Sequence, residues 1–252
     1  DLLEVNLGGT AIGTGINADP RYQAIAVQRL AEISGQPLRQ AADLIEATSD
    51  MGSFVLFSGM LKRLAVKLSK ICNDLRLLSS GPRTGFNEIN LPPRQPGSSI
   101  MPGKVNPVVP EAVAMVCAQV MGHHTAITVA GQSGNFQLNV MLPLIAANLL
   151  ESIQLLSNVS RLLADSTIAG IKVRRDNVDA ALARNPILVT ALNPIIGYEK
   201  AAAIAKRAYA EQRPVMEIAR EDSGLSDAEL DTLLDPAELT RGGIHEGAGG
   251  GG

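Results

Sequence analysis

Phe54-Val55-Leu56-Phe57-Ser58-Gly59-Met60-Leu61-Lys62-Arg63-Leu64-Ala65-Val66-Lys67-Leu68-Ser69-Lys70-Ile71-Cys72-Asn73-Asp74-Leu75-Arg76-Leu77-Leu78 carries the clearest periodicity in the chain. Phe54, Phe57, Leu61, Leu64, Leu68, Ile71, Leu75 and Leu78 recur at alternating steps of 3 and 4, a heptad seam. Lys62, Arg63, Lys67, Lys70, Asp74 and Arg76 lie off it. No proline interrupts residues 38–81, so the spacing predicts one helix from Asp43 to Ser80, stopped by Gly81-Pro82. Its 38 residues would run about 57 Å, too long for a compact monomer. Such a helix belongs in a bundle or coiled coil, which predicts an oligomer.

Working outward, the same texture continues on both sides. Upstream, residues 20–34 read as a short helix with Pro20 in its first turn, broken by Gly35-Gln36-Pro37. Downstream, Pro107 and Pro110 open a helix whose apolar face is Val109, Ala112, Val113, Val116, Cys117 and Val120. After a turn at 131–135, another long helix is expected from Phe136 to Ile168, kinked at Pro143. Ile145, Leu149, Ile153, Leu156 and Leu163 would mark its buried side. Beyond Gly170 the expected helices shorten to 174–184, 188–193, 199–211, 214–222 and 226–234, the last with a Ser226/Glu229 capping box. The predicted fold is therefore all-α: a long-helix bundle over residues 1–170, a small helical domain over 171–246, and a glycine tail at 247–252 that is flexible or artificial.

Composition agrees. Aromatics are 3% of the chain and Trp is absent, so Ala, Leu, Val and Ile carry the apolar content, as packed helices require. The net charge is -3, which excludes nothing by itself but gives no footprint for nucleic acid. Cys72 and Cys117 sit on predicted helices without metal spacing, which points to buried thiols in a reducing compartment. No apolar run reads as long enough to span a membrane. The chain opens with Asp1 inside an apolar pattern (Leu2, Leu3, Val5, Leu7) and reads as a cut end.

Residues 81–107 form the longest expected loop, and loops of that length inside a domain are usually functional or disordered. Its second half is Gly97-Ser98-Ser99-Ile100-Met101-Pro102-Gly103-Lys104-Val105-Asn106-Pro107. Two Gly and two Pro fix an unusual path, and Ser, Lys and Asn can converge on something small and anionic. A phosphate loop is excluded, because five residues separate Gly97 from Gly103 and Val105 follows the lysine. A dinucleotide fingerprint at Gly13-Thr14-Gly15 is excluded too, since no strand precedes it and no acidic residue closes a βαβ unit.

Residues 97–107 match every fixed position of Gly-Ser-Ser-x-Met-Pro-x-Lys-x-Asn-Pro, and the chain on this basis resembles the fumarase/aspartase superfamily. Gly8–Asn17 and Gly134–Val140 resemble further segments of that family, the first as a helix end near the active site. The resemblance implies elimination across the central carbon–carbon bond of a C4 dicarboxylate through an aci-carboxylate. It implies Ser98 as proton acceptor, Glu111 as a supporting catalytic residue, and Ser99, Lys104, Val105 and Asn106 as substrate contacts. It implies no cofactor and no metal, a cytoplasmic homotetramer with active sites shared between subunits, and a further N-terminal half. Asn87–Pro96 resembles the aspartase branch, implying L-aspartate to fumarate and ammonia, with a class II fumarase as the alternative. A non-catalytic helical assembly module is the alternative for this stretch alone. His123-His124 stand where the family usually shows Asn-Asp; without a third ligand at metal spacing they read as polar seam or surface residues.

Overall fold

The computed structural model describes residues 2–101 and 103–241. The glycine tail at 247–252 and the end of the expected C-terminal domain lie outside the described residues, as does Pro102 of the signature loop. The fold is all-α, with strands only two residues long among the described residues. The chain divides into two compact units, Asp1–Lys172 and Val173–Gly252.

The first unit begins with strand β1 (Glu4–Val5), which pairs in parallel with β2 (Arg39–Gln40), Glu4 opposite Arg39. Between them lies helix α1 (Pro20–Ser34). Its start follows from Asp19, whose carboxylate accepts from the Arg21 N–H at 2.8 Å, and from Pro20 in the first turn. Gly35 ends it in the left-handed region, φ 64°. Residues 8–17, expected to end a helix, are a series of turns instead. Gly13 (φ 92°) lies where an added Cβ would stand 2.4 Å from the Ile45 nitrogen, so the small residues let one loop approach another rather than helix approach helix.

The single helix expected over 43–80 is two helices, α2 (Glu46–Ser49) and α3 (Gly52–Leu78). The break is local chemistry that periodicity does not report. Asp43 caps the short helix by accepting from the Ile45 N–H at 2.8 Å. Asp50 is extended (φ -77°, ψ 125°), and its carboxylate accepts from the Gly52 N–H, beginning the helix afresh. The 27 residues of α3 run about 40 Å. With α4 (Val108–Gly131) and α5 (Leu142–Ser166) it forms a three-helix bundle.

The buried stripe of α3 is rotated from the predicted seam. Ser58, Ala65, Cys72 and Leu75 are buried, whereas Leu64 and Ile71 are 43% and 41% exposed. Small side chains face α4 and α5, and the larger ones flank them. On α4, Val109, Val113, Cys117 and Val120 are buried as expected, while Ala112 is exposed. On α5, Ile145, Leu149, Leu156 and Leu163 are buried and Ile153 is not. The helix starts later than Phe136, because Phe136 is left-handed (φ 51°) and Asn135 and Leu138 bridge across a tight turn. Asn139 then donates to the Ala130 and Gly131 carbonyls and accepts from the Met141 N–H, tying the turn to the end of α4. Pro143 falls in the first turn of α5, where its missing N–H costs nothing, so it produces no kink.

The core of this bundle has two apolar clusters. One gathers Ala65, Cys72, Val113, Cys117, Val120, Leu156 and Val159, and the other Met51, Ile127, Ala130, Ile145 and Leu149. A polar layer lies between them. His123 Nδ1 meets Ser152 Oγ at 3.0 Å, and His124 Nδ1 meets Ser58 Oγ at 3.1 Å. The sequence reading that no apolar run approaches spanning length is corrected here. Val108–Gly131 and Leu142–Gly170 are long and apolar enough to cross a bilayer by length and composition, and in this fold they are core helices of the bundle.

The second unit follows the expected change of texture. It contains α6 (Arg175–Ala183), a 3-10 segment (Pro186–Leu192), α7 (Asn193–Ile196), α8 (Tyr198–Glu211), α9 (Val215–Asp222), α10 (Asp227–Leu233) and α11 (Pro236–Leu239). Leu192, Ile204, Ile218 and Leu230 are fully buried at its centre. The Ser226/Glu229 capping box forms in full.

Candidate active site

The segment between α3 and α4 carries the signature residues. α3 closes with the Asn87 N–H donating to the Ser80 carbonyl and the Glu88 N–H to the Leu78 carbonyl, which returns the chain along the helix end. The two-residue strand β3 (Ile89–Asn90) follows. The chain then narrows to a neck. The Gly97 N–H donates to the Lys104 carbonyl at 2.9 Å, and the Asn106 side-chain amide donates to the Gly97 carbonyl at 3.0 Å. A Cβ on Gly97 would lie 2.4 Å from the Lys104 oxygen, so only glycine fits the neck. Beyond the neck, Ser98–Met101 forms an arm, and Gly103 is left-handed (φ 80°).

Two hollows flank this arm. A cleft of about 740 Å³ is lined by Lys104, Val105, Asn106, Glu111 and Arg76, with Ser79, Ser80, Asn87 and Asn90. Four of the six predicted site residues therefore share one cavity. A second hollow, of about 460 Å³, lies on the other side and is lined by Ser98, Arg94 and again Lys104 and Val105. Ser98 is half-buried, and its Oγ accepts from the Ile100 N–H at 3.2 Å. Ser99 is exposed and lines neither hollow. Met101, Gly103, Lys104 and Val105 border both, so the two hollows adjoin along this stretch.

Each position has a local cause. Glu111 is half-buried in the first turn of α4, its N–H donating to the Pro107 carbonyl at 3.1 Å. That turn favours a carboxylate through the helix dipole. Asn106 is held by its bond to Gly97. The Lys104 ammonium is exposed and meets no carboxylate among the described residues, which leaves it available to an anion. Arg76, in the last turn of α3, has among the described residues only a 3.4 Å contact to Asn73 Oδ1. The cleft thus offers two cations with no carboxylate partner, amide and hydroxyl donors, and one carboxylate. Such a set can hold a small dianion and stabilise charge developing beside a carboxylate.

Arg76, Ser79, Ser80, Asn87 and Asn90 were not picked out by sequence reasoning. They lie outside the motif, at a helix end whose only signal is Gly81-Pro82. His123 and His124 sit away from the cleft, in the polar layer of the bundle, and no group of three or more metal-binding side chains occurs among the described residues.

Residues 1–122 match the Lyase family, and residues 188–241 match the Fumarase C C-terminus family. The chain is 63% identical over 246 residues to a protein named fumarate hydratase class II from Xylella fastidiosa (strain Temecula1 / ATCC 700964), covering 98% of this chain and 52% of that protein. It is 65% identical over 238 residues to an aspartate ammonia-lyase from Pseudomonas fluorescens, covering 94% and 50%. Among solved structures, a fumarate lyase:delta crystallin from Brucella melitensis bound to cobalt superposes with a TM-score of 0.89 at 51% identity, covering 94% of this chain and 51% of that one. The chain spans about half the length of the curated relatives it matches.

Proposed function

Because the chain belongs to the fumarase/aspartase superfamily, we propose that it supplies the signature-loop half of a carbon–nitrogen lyase that converts L-aspartate to fumarate and ammonia. The observation that carries this reading is the convergence of Lys104, Asn106 and Glu111 on one cleft beside the Ser98 arm. In the reaction, a base removes a proton from the carbon beside one carboxylate. The electron pair passes into that carboxylate, giving an aci-carboxylate dianion. It then returns to form the double bond as the carbon–nitrogen bond breaks and its pair leaves with ammonia. Lys104 and Asn106 oppose the developing charge, and Ser99 and Val105 contact the substrate as the arm closes over it.

Ser98 is the base in this scheme. A hydroxyl serves only if its oxyanion is strongly stabilised. The Ile100 N–H aimed at Ser98 Oγ is one such donor, and the neighbouring Lys104 charge is another. Glu111 supports proton movement from the first turn of α4. The protein acts as a cytoplasmic homotetramer with shared sites, and the exposed apolar side chains of Leu56, Met60, Val66 and Leu77 on α3 support assembly.

The second reading is a class II fumarase, with water leaving in place of ammonia. It is favoured by the 63% identity to the Xylella fastidiosa protein, close to the 65% identity to the Pseudomonas fluorescens one. Fumarate formation by the full-length protein from aspartate and from malate separates the two. Deuterium exchange at the substrate carbon tests the base: Ser98→Ala is expected to lose exchange by orders of magnitude, while Ser99→Ala mainly weakens substrate affinity. Exchange at the parent rate in Ser98→Ala assigns proton abstraction to another residue.

A further inference from the structure

The stem of the signature loop is fastened to the C-terminal end of α5, at the loop's own end of the bundle. Arg94 Nε donates to the carbonyl oxygen of Ser166, the last residue of α5, at 2.9 Å, across 72 positions of sequence. Helix ends leave such carbonyls without an intrahelical donor, and their partial negative charge favours a cation. Two residues before Arg94, Pro92 packs on Gly170 so closely that a Cβ there would stand 2.5 Å from Pro92 Cγ. Three residues after Arg94, Gly97 opens the neck closed by Lys104 and Asn106. The line of attachment therefore runs from the α5 end through Arg94 to the neck and then the arm. Nothing between Arg94 and Gly97 is hydrogen-bonded to another element in the described structure except through these two fastenings.

We propose that Arg94 is a positioning residue for the elimination: its bond to Ser166 fixes the loop stem, so that the neck presents Ser98 to one hollow, Asn106 to the other and Lys104 to both. It acts through the loop backbone and touches no substrate. The catalytic half of this statement rests on the lyase reading above; the mechanical half rests on the Arg94–Ser166 bond alone.

Two measurements on Arg94→Ala and Arg94→Lys decide it. By amide hydrogen exchange, the Gly97 and Lys104 N–H groups are expected to exchange about tenfold faster in Arg94→Ala, with thermal stability at the parent value. Lysine can donate to the same carbonyl, so Arg94→Lys is expected to restore most of the protection. In the full-length protein, kcat for fumarate formation falls about tenfold in Arg94→Ala with KM changed by less than about twofold, since the loss is one of placement. Parent-like exchange in Arg94→Ala overturns the proposal, as does an Arg94→Lys variant no better than alanine. If the parent forms no fumarate from either substrate, the lyase reading fails, and the exchange rates by themselves still decide the role of Arg94.

Discussion

A single imidazole ties the bundle's stability to pH. Burial against α3 holds the His124 pKa below its ordinary value, and the Lys62 charge one turn along α3 from Ser58 pushes the same way. The unfolded chain therefore binds a proton more readily than the folded one. Stability from neutral His124 is complete above about pH 6.5, the unfolded value, and declines as pH falls from there toward the folded pKa. The melting temperature is expected to drop between about pH 7.5 and pH 5.5, and His124→Asn to flatten that slope; an unchanged slope in the variant places the dependence elsewhere. Carboxylates act lower. Glu211 and Glu221 are held below the usual range by Arg207 and Arg213, so what they contribute is present above about pH 4.5 and lost as pH falls through their folded values. At this scale the motif is legible, because Ser98, Lys104 and Asn106 fall within the single contiguous string Gly97–Pro107. Arg76 was not, because cleft membership depends on where a helix ends, and that is settled by the chain's return at Asn87 and Glu88.

At the scale of elements, α3 separates what periodicity can and cannot reveal. The 3–4 spacing finds the apolar side but not which edge of it turns inward. Ser58, Ala65 and Cys72 are small, so they permit close helix approach and take the centre of the contact. Ala65→Leu is expected to destabilise the bundle by about 1–3 kcal/mol through overpacking, whereas Leu64→Ala stays within about 0.5 kcal/mol. Chemical denaturation of the two variants reads this directly, and equal losses would restore the predicted seam. The buried thiols provide an independent probe of the same contact. Burial pushes the Cys72 pKa up to about 11 and raises that of Cys117. Both are expected to resist alkylation at pH 8 until the chain is denatured. The helix break at Asp50 and the late start of α5 were hidden for one reason: each depends on a side chain bonding its own backbone, Asp50 to Gly52 and Asn139 to Met141. Such competition leaves the hydrophobic pattern undisturbed.

For the whole molecule, the surface of the first unit is as telling as its core. Leu56, Met60, Val66 and Leu77 on α3, Met115 on α4 and Leu150 on α5 are all exposed, and Phe136 is 94% exposed in a left-handed conformation. Patches of this kind mark association surfaces. Sedimentation is expected to show a species heavier than the 26.4 kDa chain, and a monomer at all concentrations would refute it. All-α architecture and a bundle followed by short helices could be read from the sequence. Which apolar side chains lie outward could not, since an outward leucine and a core leucine are the same letter.

The polar layer formed by Ser58, His123, His124 and Ser152 has a consequence for cooperativity. It cuts the bundle's interior into two oily compartments, and among the described residues only Leu61 packs against both. Heat or denaturant need not dissolve them together. The compartment around Ile127 and Ile145 can melt as its own foldon while the compartment beneath the signature loop, around Val113 and Leu163, keeps its order. The end that carries the signature loop would then remain assembled through fluctuations that open the opposite end of the same three helices.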